Sequence, residues 1–476
     1  MMGGVFGEPP GRMAPKEGGG GEIIVPNVFE FNRAFMDAGF SCSHRLAWHA
    51  GALPVAECSL FWGGSEKLVF LPLRPDPLWV EDVQEAMGYR RLEVFHPPSR
   101  LAGLCSAAQT ERLREVLDAG WKPAKLLPWG AGGELYSLAD FLGEENFPLG
   151  GEVTPRERFF EALNLDSKAG FRLAASFPGS GIRMPEGFVM PTLGDALGLL
   201  PRFVERGGGV LKANHGAGGT SVVLFPAGRG FSPEAAKRAM EARCRWDPFW
   251  LQSPVIIEEL IGSGEAVPAV TADFFSGEGG SSRLVGAGRM RIAAGTRYCG
   301  LLGGRGALSG EVLAEIEKAG EQISRILAGR GVRGWFNADF VSGDGGTLYV
   351  TEVNVRRSCA THGFDAARFL YGEGWAGEIA LLVNERLTFT GGKPDYPSLR
   401  RGFSAYNKKG RDRGVWAIPA SVNGGLRQKT PRISFLLFAP GAGDLPGEEK
   451  ILAAHLERET GKRCASPPLP HRTLGP

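Results

Sequence analysis

A mixed α/β protein of two or three domains is what this sequence predicts, and three observations predict it. The chain has 476 residues, more than one hydrophobic core usually serves. Short apolar runs of strand length alternate with segments whose apolar residues recur at helical spacing, the pattern of strands joined by crossover helices. In the second half, two apolar segments carry carboxylates and Asn, which points to a polar site built on a sheet.

Taken in order, the Gly- and Pro-rich opening, residues 1–21, lacks periodic apolar residues and reads as a disordered tail. Residues 22–150 alternate apolar runs (67–73, 91–96) with helical patterns (107–119), predicting an α/β domain with a parallel sheet. The domain spanning 151–386 opens on two connecting helices. Its apolar runs at 209–214 and 220–225 flank HGAGG and predict a β-hairpin with a glycine tip, inside a lid of about 203–257. A helix from Pro233, a buried strand from Val255, β-rich pieces at 269–275, 334–341 and 347–355, and a helix from Glu311 complete it. Residues 387–476 pattern weakly, with strands at 414–420 and 432–438, and predict a small C-terminal α/β appendage.

Composition excludes several classes of function. Lys and Arg number 54 against 52 Asp and Glu, so no global field favours nucleic acid or an anionic membrane. The 7 Cys include no CxxC pair, which suits free thiols in a reducing compartment better than disulfides or a structural zinc site. No apolar stretch has the roughly 18 residues that span a bilayer, and the first residues lack the apolar core of a signal peptide. Cytoplasm is the expected compartment. The 71 glycines lie in scattered clusters and imply many turns.

Chemistry concentrates in three places. Asp339, in NADF, and Glu352 and Asn354, in TEVNVRR, form the first, because alternation along a strand puts Glu352, Asn354 and Arg356 on one face. Oxygen ligands without Cys or His suit Mg²⁺. An E-x-N on a strand is ordinarily a solvated sheet edge, but here both segments are otherwise apolar, and inward carboxylates are costly without a cation. The second is Lys212, on a strand leading into the loop of Gly216, Gly218 and Gly219, where bare backbone can approach phosphates and a lysine adds charge. Neither a Walker A loop nor GxGxxG occurs. The third is Ile256 to Glu265, an apolar strand ending in acids. There the backbone of Glu259 and Leu260 could pair with the edge of adenine, Glu258 could accept from its amine, and Glu265 from ribose hydroxyls.

In their order and spacing, Ser167-Lys168, Val210-Leu-Lys212 with HGAGG, IIEELIGSGE, Asn337-Ala-Asp339 and Glu352-Val-Asn354 resemble the ATP-grasp superfamily, which includes D-alanyl-D-alanine ligase and glutathione synthetase. The segments at 125–142 and 162–174 look like the domain preceding ATP-grasp in pheganomycin-type peptide ligases. The resemblance covers about residues 57–385 and only faintly the C-terminal part. It implies an ATP-grasp domain at 151–386 behind a pre-ATP-grasp domain at 22–150. It also implies ATP phosphates on Lys168 and Lys212, adenosine on Glu258 and Glu265, and two Mg²⁺ ions on Asp339, Glu352 and Asn354. Where D-alanyl-D-alanine ligases carry an arginine two residues before the metal aspartate, this chain has Asn337. Arg289, Arg291 and Arg356 are the available replacements, and Arg291 and Arg356 are favoured as the catalytic pair.

The activity implied is ATP-dependent carboxylate–amine ligation, with an acyl phosphate as intermediate and ADP and phosphate as products. The expected substrates are a small-molecule carboxylate and an amine, an amino acid or peptide. The alternatives are an ATP-grasp-like kinase and a non-catalytic nucleotide-binding regulator. Oligomeric state is open, a homodimer included.

Overall fold

The computed structural model describes residues 4–13, 21–37, 39–97, 107–143, 153–228, 230–262 and 269–466. Among them are three sheets. The first is wholly parallel, in the order Arg91–Phe95, Glu66–Phe70, Gly21–Val25, Pro123–Pro128. The apolar positions of its strands, such as Ile23, Ile24, Leu68, Val69 and Leu126, are buried because helices such as Pro77–Met87 and Gly133–Leu142 cover its faces, which is the burial a parallel sheet requires.

The second sheet has four antiparallel strands, ordered Gly187–Met190, Val255–Glu259, Gly208–Ala213, Val222–Pro226. The expected hairpin, Gly208–Ala213 with Val222–Pro226, forms one edge of it, with Lys212 opposite Val222. Helices Leu193–Glu205 and Pro233–Cys244 bury one face through Leu200, Phe203 and Met240.

The third sheet has nine antiparallel strands and carries the site. It runs Leu348–Asn354, Gly334–Ser342, Ala269–Ser276, Ser282–Ala293, Arg297–Gly304, Ala380–Thr390, Arg432–Ala439 and Trp416–Ser421, with Arg463–Ala465 paired beside Ala380–Thr390. The long helix Gly310–Gly329 lies against it through Ile316, Ile323 and Leu327. That approach needs a glycine, since a Cβ on Gly320 would stand 2.2 Å from the Phe274 ring.

Two expectations are corrected. The C-terminal residues do not form an appendage of their own. The boundary at 387 falls inside the strand Ala380–Thr390, which bonds to Arg297–Gly304 on one side and Arg432–Ala439 on the other. Nor are residues 4–13 a disordered tail. Phe6 is buried, its carbonyl accepts from Asn407 Nδ2 at 3.0 Å and Trp416 Nε1 at 3.1 Å, and its ring meets Phe403 edge-on. An isolated Phe among glycines carries no period, so its partners four hundred residues away are invisible to pattern reading. Residues 1–3 and 14–20 of the expected tail lie outside the described residues.

Emptying the Phe6 pocket removes a large aromatic from a packed core. Phe6→Ala is expected to lower unfolding free energy by about 3–5 kcal/mol in a denaturant titration, and a wild-type midpoint would show that the N-terminal segment contributes nothing.

Candidate active site

Pairing register creates the site. Gly334–Ser342 and Leu348–Asn354 align so that Asp339 stands opposite Glu352, and Asn337 opposite Asn354. Directly opposed residues share a face of the sheet, so two carboxylates meet at the mouth of the cleft between the second and third sheets.

The two are not equivalent. Burial opposes ionisation of Glu352, but the Lys168 ammonium at 2.9 Å, with Lys212 and Arg356, outweighs it and holds the carboxyl below its ordinary range. Asp339 forms no ion pair among the described residues. Burial and the charge of Glu352 push it up to about 7, against a hydrogen bond from Thr271. Beneath them, Asn337 Nδ2 donates to Thr271 Oγ1 at 2.7 Å and to Asp273 Oδ1 at 3.0 Å, while its Oδ1 accepts from Asn354 Nδ2 at 3.0 Å. Asn354 Oδ1 accepts from Arg356 at 2.9 Å. Arg356 also lies 3.7 Å from Asp166 and over the Trp129 ring at 5.2 Å.

Helix Lys168–Ala175, capped by Ser167, brings two cations to the cleft. Lys168 and Arg172 are one turn apart and share a face. Arg172 pairs with Glu258 at 2.5 Å. Lys212 comes from the second sheet, pairs with the other oxygen of Glu258, and donates to Thr351 O at 2.9 Å. The cleft is thus lined by alternating buried charges, each cation holding an acid.

The glycine tip sits over this cleft. Tyr298 N–H donates to Gly218 O at 3.2 Å, and a Cβ on Gly219 would collide with Thr296 O at 1.7 Å. Gly219 has φ +76°, Gly218 +59° and Gly216 +151°, the left-handed side where glycine is the unstrained choice.

The structure thus brings together Lys168, Lys212, Asp339, Glu352, Asn354 and Arg356, with Gly216, Gly218 and Gly219 alongside. Other sequence-predicted residues fare differently. The N–H of Glu259 donates to Glu186 O at 2.8 Å and that of Leu260 to Gly208 O at 3.0 Å, and Glu259 Oε1 accepts from Glu186 N–H at 2.8 Å. Neither N–H is left for a purine edge here. Glu258 is committed to Arg172 and Lys212 rather than facing outward. Glu265 lies outside the described residues.

Arg291 is the clearest correction. In register, Thr271 lies beside both Asp339 and Gly288, so Arg291, an odd number of residues beyond Gly288, belongs to the opposite face. There it is fully buried, bidentate to Glu449 at 2.8 and 3.1 Å. Arg357 also faces away, as alternation from Arg356 predicts, with Asp365 at 3.3 Å and its guanidinium 3.8 Å from the Trp335 ring centroid. Residues that sequence reasoning missed are Arg172, Asp166, Thr271 and Asp273. The four-residue spacing from Lys168 was an available signal for Arg172, whereas Thr271 and Asp273 depend on pairing.

The molecule is similar over 94% of its length to solved structures whose own chains are almost wholly covered. One is a biotin carboxylase complex with β,γ-ATP from Campylobacter jejuni (TM-score 0.53, 10% identity, 92% of that chain). The biotin carboxylase domain of a Hydrogenobacter thermophilus 2-oxoglutarate carboxylase, with MgADP, ADP and bicarbonate, matches at TM-score 0.52 and 12% identity over 90% of its length. The architecture they share with this chain is the ATP-grasp fold. An L-amino acid ligase from Bacillus licheniformis matches at TM-score 0.51 and 14% identity over 99% of its length. No protein-family model matches the sequence, and no curated protein does.

Two expectations follow from the charges. Because the folded-state pKa of Asp339 is raised from 3.8 to about 7, the folded chain binds more protons than the unfolded one between those values, and this group's contribution to stability falls as pH rises through that window. A cation between Asp339 and Glu352 reverses the penalty. Mg²⁺ is therefore expected to raise the melting temperature at pH 8 and to do little at pH 5, with Asp339→Asn abolishing the difference. Arg291→Met strands buried Glu449, and is expected to cost about 3–5 kcal/mol of stability while leaving ATP affinity, measured on folded protein, unchanged.

Proposed function

We propose that this chain is an ATP-dependent carboxylate–amine ligase of the peptide-forming kind, using Mg²⁺ as two ions, in line with the ATP-grasp resemblance. The observation that carries the reading is the opposition of Asp339 and Glu352 across two strands, with Asn354 beside them and three cations, Lys168, Lys212 and Arg356, within the same cleft.

The residues fit a hard dication. All three candidate ligands present oxygen, and Asp339 is a carboxylate with a like charge beside it and no cation paired to it among the described residues. Mg²⁺ held by Asp339, Glu352 and Asn354 supplies charge neutralisation for the phosphates of ATP.

The rest is the work of this chain's side chains. Lys168 and Lys212 rest on Glu352 and Glu258, and each exchanges its carboxylate for phosphate oxygens when nucleotide enters. Glu258 is a positioning residue, holding Lys212 and Arg172 at the cleft. Arg356 turns from Asn354 Oδ1 toward the transferred phosphate, which frees that oxygen. The substrate carboxylate attacks the γ-phosphorus, ADP departs, and the amine then attacks the acyl carbon and expels phosphate. The glycine tip at 216–219 closes over the acyl phosphate and keeps water away. The covalent steps need no Ser or Cys nucleophile. The parallel-sheet domain at 22–150 and the segments at 125–142 and 162–174 support placement near the pheganomycin-type peptide ligases, with amino acids or peptides as substrates.

Mg-ATP with pooled amino acids and dipeptides is expected to give amine-dependent phosphate release and a product lighter by one water than its summed substrates, read by mass spectrometry. Glu352→Gln and Lys212→Met should each slow ADP formation by about 100-fold or more without loss of fold. Phosphate retained on a product would replace the ligase reading with the kinase one, and near wild-type turnover by folded Glu352→Gln would remove the metal assignment.

A further inference from the structure

A second polar cluster lies on elements the proposed reaction does not use. Cys58 opens the short turn Cys58–Phe61, His362 stands in the first turn of helix Thr361–Tyr371, and Glu385 lies within the strand Ala380–Thr390. One ligand atom from each lies within 4.8 Å of the other two. His362 is 1% exposed, and its Nε2 is 3.8 Å from Glu385 Oε1, too long for a hydrogen bond. Neither atom has a hydrogen-bond partner among the described residues.

The surroundings explain which way these atoms present their lone pairs. His362 Nε2, unpartnered among the described residues, is the ring nitrogen turned toward Glu385, and a neutral imidazole with that nitrogen as acceptor is the form that binds a metal. Glu385 receives Ser434 Oγ on Oε2 at 3.3 Å, which leaves Oε1 for the cluster. His362 Nε2 and Glu385 Oε1 therefore face each other beside a thiol with no hydrogen bond joining them. Leaving such groups buried and unpaired is costly.

We propose that Cys58, His362 and Glu385 bind a divalent transition-metal ion of the zinc type, at a site distinct from the Asp339–Glu352 cleft. Thiolate, imidazole and carboxylate together select a borderline-soft ion over Mg²⁺, which takes oxygen ligands. One thiolate and one carboxylate neutralise a dication, and three protein ligands leave a fourth position. Burial opposes the charged form of each group, pushing the Cys58 thiol well up, Glu385 up to about 7 and His362 down to about 4, while Arg432 and Arg386 favour the Glu385 carboxylate. The ion would tie the turn at Cys58 to helix Thr361–Tyr371 and to the central sheet. Sequence reading had dismissed a zinc site for want of a CxxC pair, since ligands separated by 304 and 23 positions leave no local motif.

The test uses the full chain, stripped with a chelator and titrated with Co²⁺ in excess Mg²⁺. One equivalent is expected to bind with thiolate-to-cobalt absorption, to be displaced by Zn²⁺, and to lose that absorption in Cys58→Ala. Glu385→Gln should weaken Co²⁺ binding by at least about 10-fold, the loss that even a supporting partner of a ligand causes. Should Cys58→Ala fail to fold, X-ray absorption of the zinc-loaded wild type decides, with one sulfur expected at about 2.3 Å. Binding without a sulfur signature, an unchanged band in folded Cys58→Ala, or no binding at all would each overturn the site. The outcome is independent of the ligase reading, because it measures metal without turnover.

Discussion

Two carboxylates held opposite each other on neighbouring strands constrain the rest of this structure. Backbone register sets Asp339 and Glu352 opposite each other on one face of the sheet, so their carboxyls start from neighbouring positions. In a low-dielectric setting an unpaired buried charge is among the costliest features a fold can hold. The surrounding sequence answers with cations from three separate places: Lys168 from a helix start, Lys212 from the second sheet, and Arg356 from two residues beyond the strand Leu348–Asn354. Only Glu352 receives an ammonium directly, and Asp339 stays poised near neutrality. An asymmetric pair of this kind is one proton away from being a strong cation site.

The same charges couple the two sheets that form the cleft. Lys212 belongs to the second sheet, but its ammonium reaches Thr351 O on the far side, and Glu258 of the same sheet holds Arg172 of the helix beneath. On the proposed reading, exchange of the carboxylate partners for phosphate would tighten the cleft without creating new charge. Buried ion pairs contribute little net stability against an apolar alternative, so a network of them along one cleft is better explained by what it can bind than by what it holds up.

How far this was readable beforehand depended on whether the information was local. The strands around Asp339 and Glu352 were legible because alternation shows directly which residues share a face, and the hairpin around Gly218 because glycine clusters between apolar runs mark turns. Lys168 was placed through motif order. What pairing alone decides was not legible. Phe6 reads as a stray aromatic in a glycine-rich tail, yet its carbonyl is held by Asn407 and Trp416. The C-terminal strands looked like an appendage because weak patterning hides that Leu382 pairs with both Leu302 and Leu437. Glu259 and Leu260 looked available to adenine because a sequence does not show that Glu186 and Gly208 already accept their N–H groups.

Arg291 shows the limit most sharply, because two arginines on one short segment were a reasonable source of the missing positive charge. Strand alternation says that Arg289 and Arg291 share a face but not which face. That is settled by Gly288 lying beside Thr271, which lies beside Asp339. One residue of register shift would have aimed Arg291 at the carboxylates, whereas the actual pairing sends it to Glu449. The burden then falls on Arg356, two positions from Asn354 and already bonded to its oxygen. On the proposed reading, because one guanidinium both neutralises the cleft and occupies a candidate ligand atom, its movement toward phosphate would release Asn354 Oδ1 toward a metal, and nucleotide and cation binding would be coupled through one side chain.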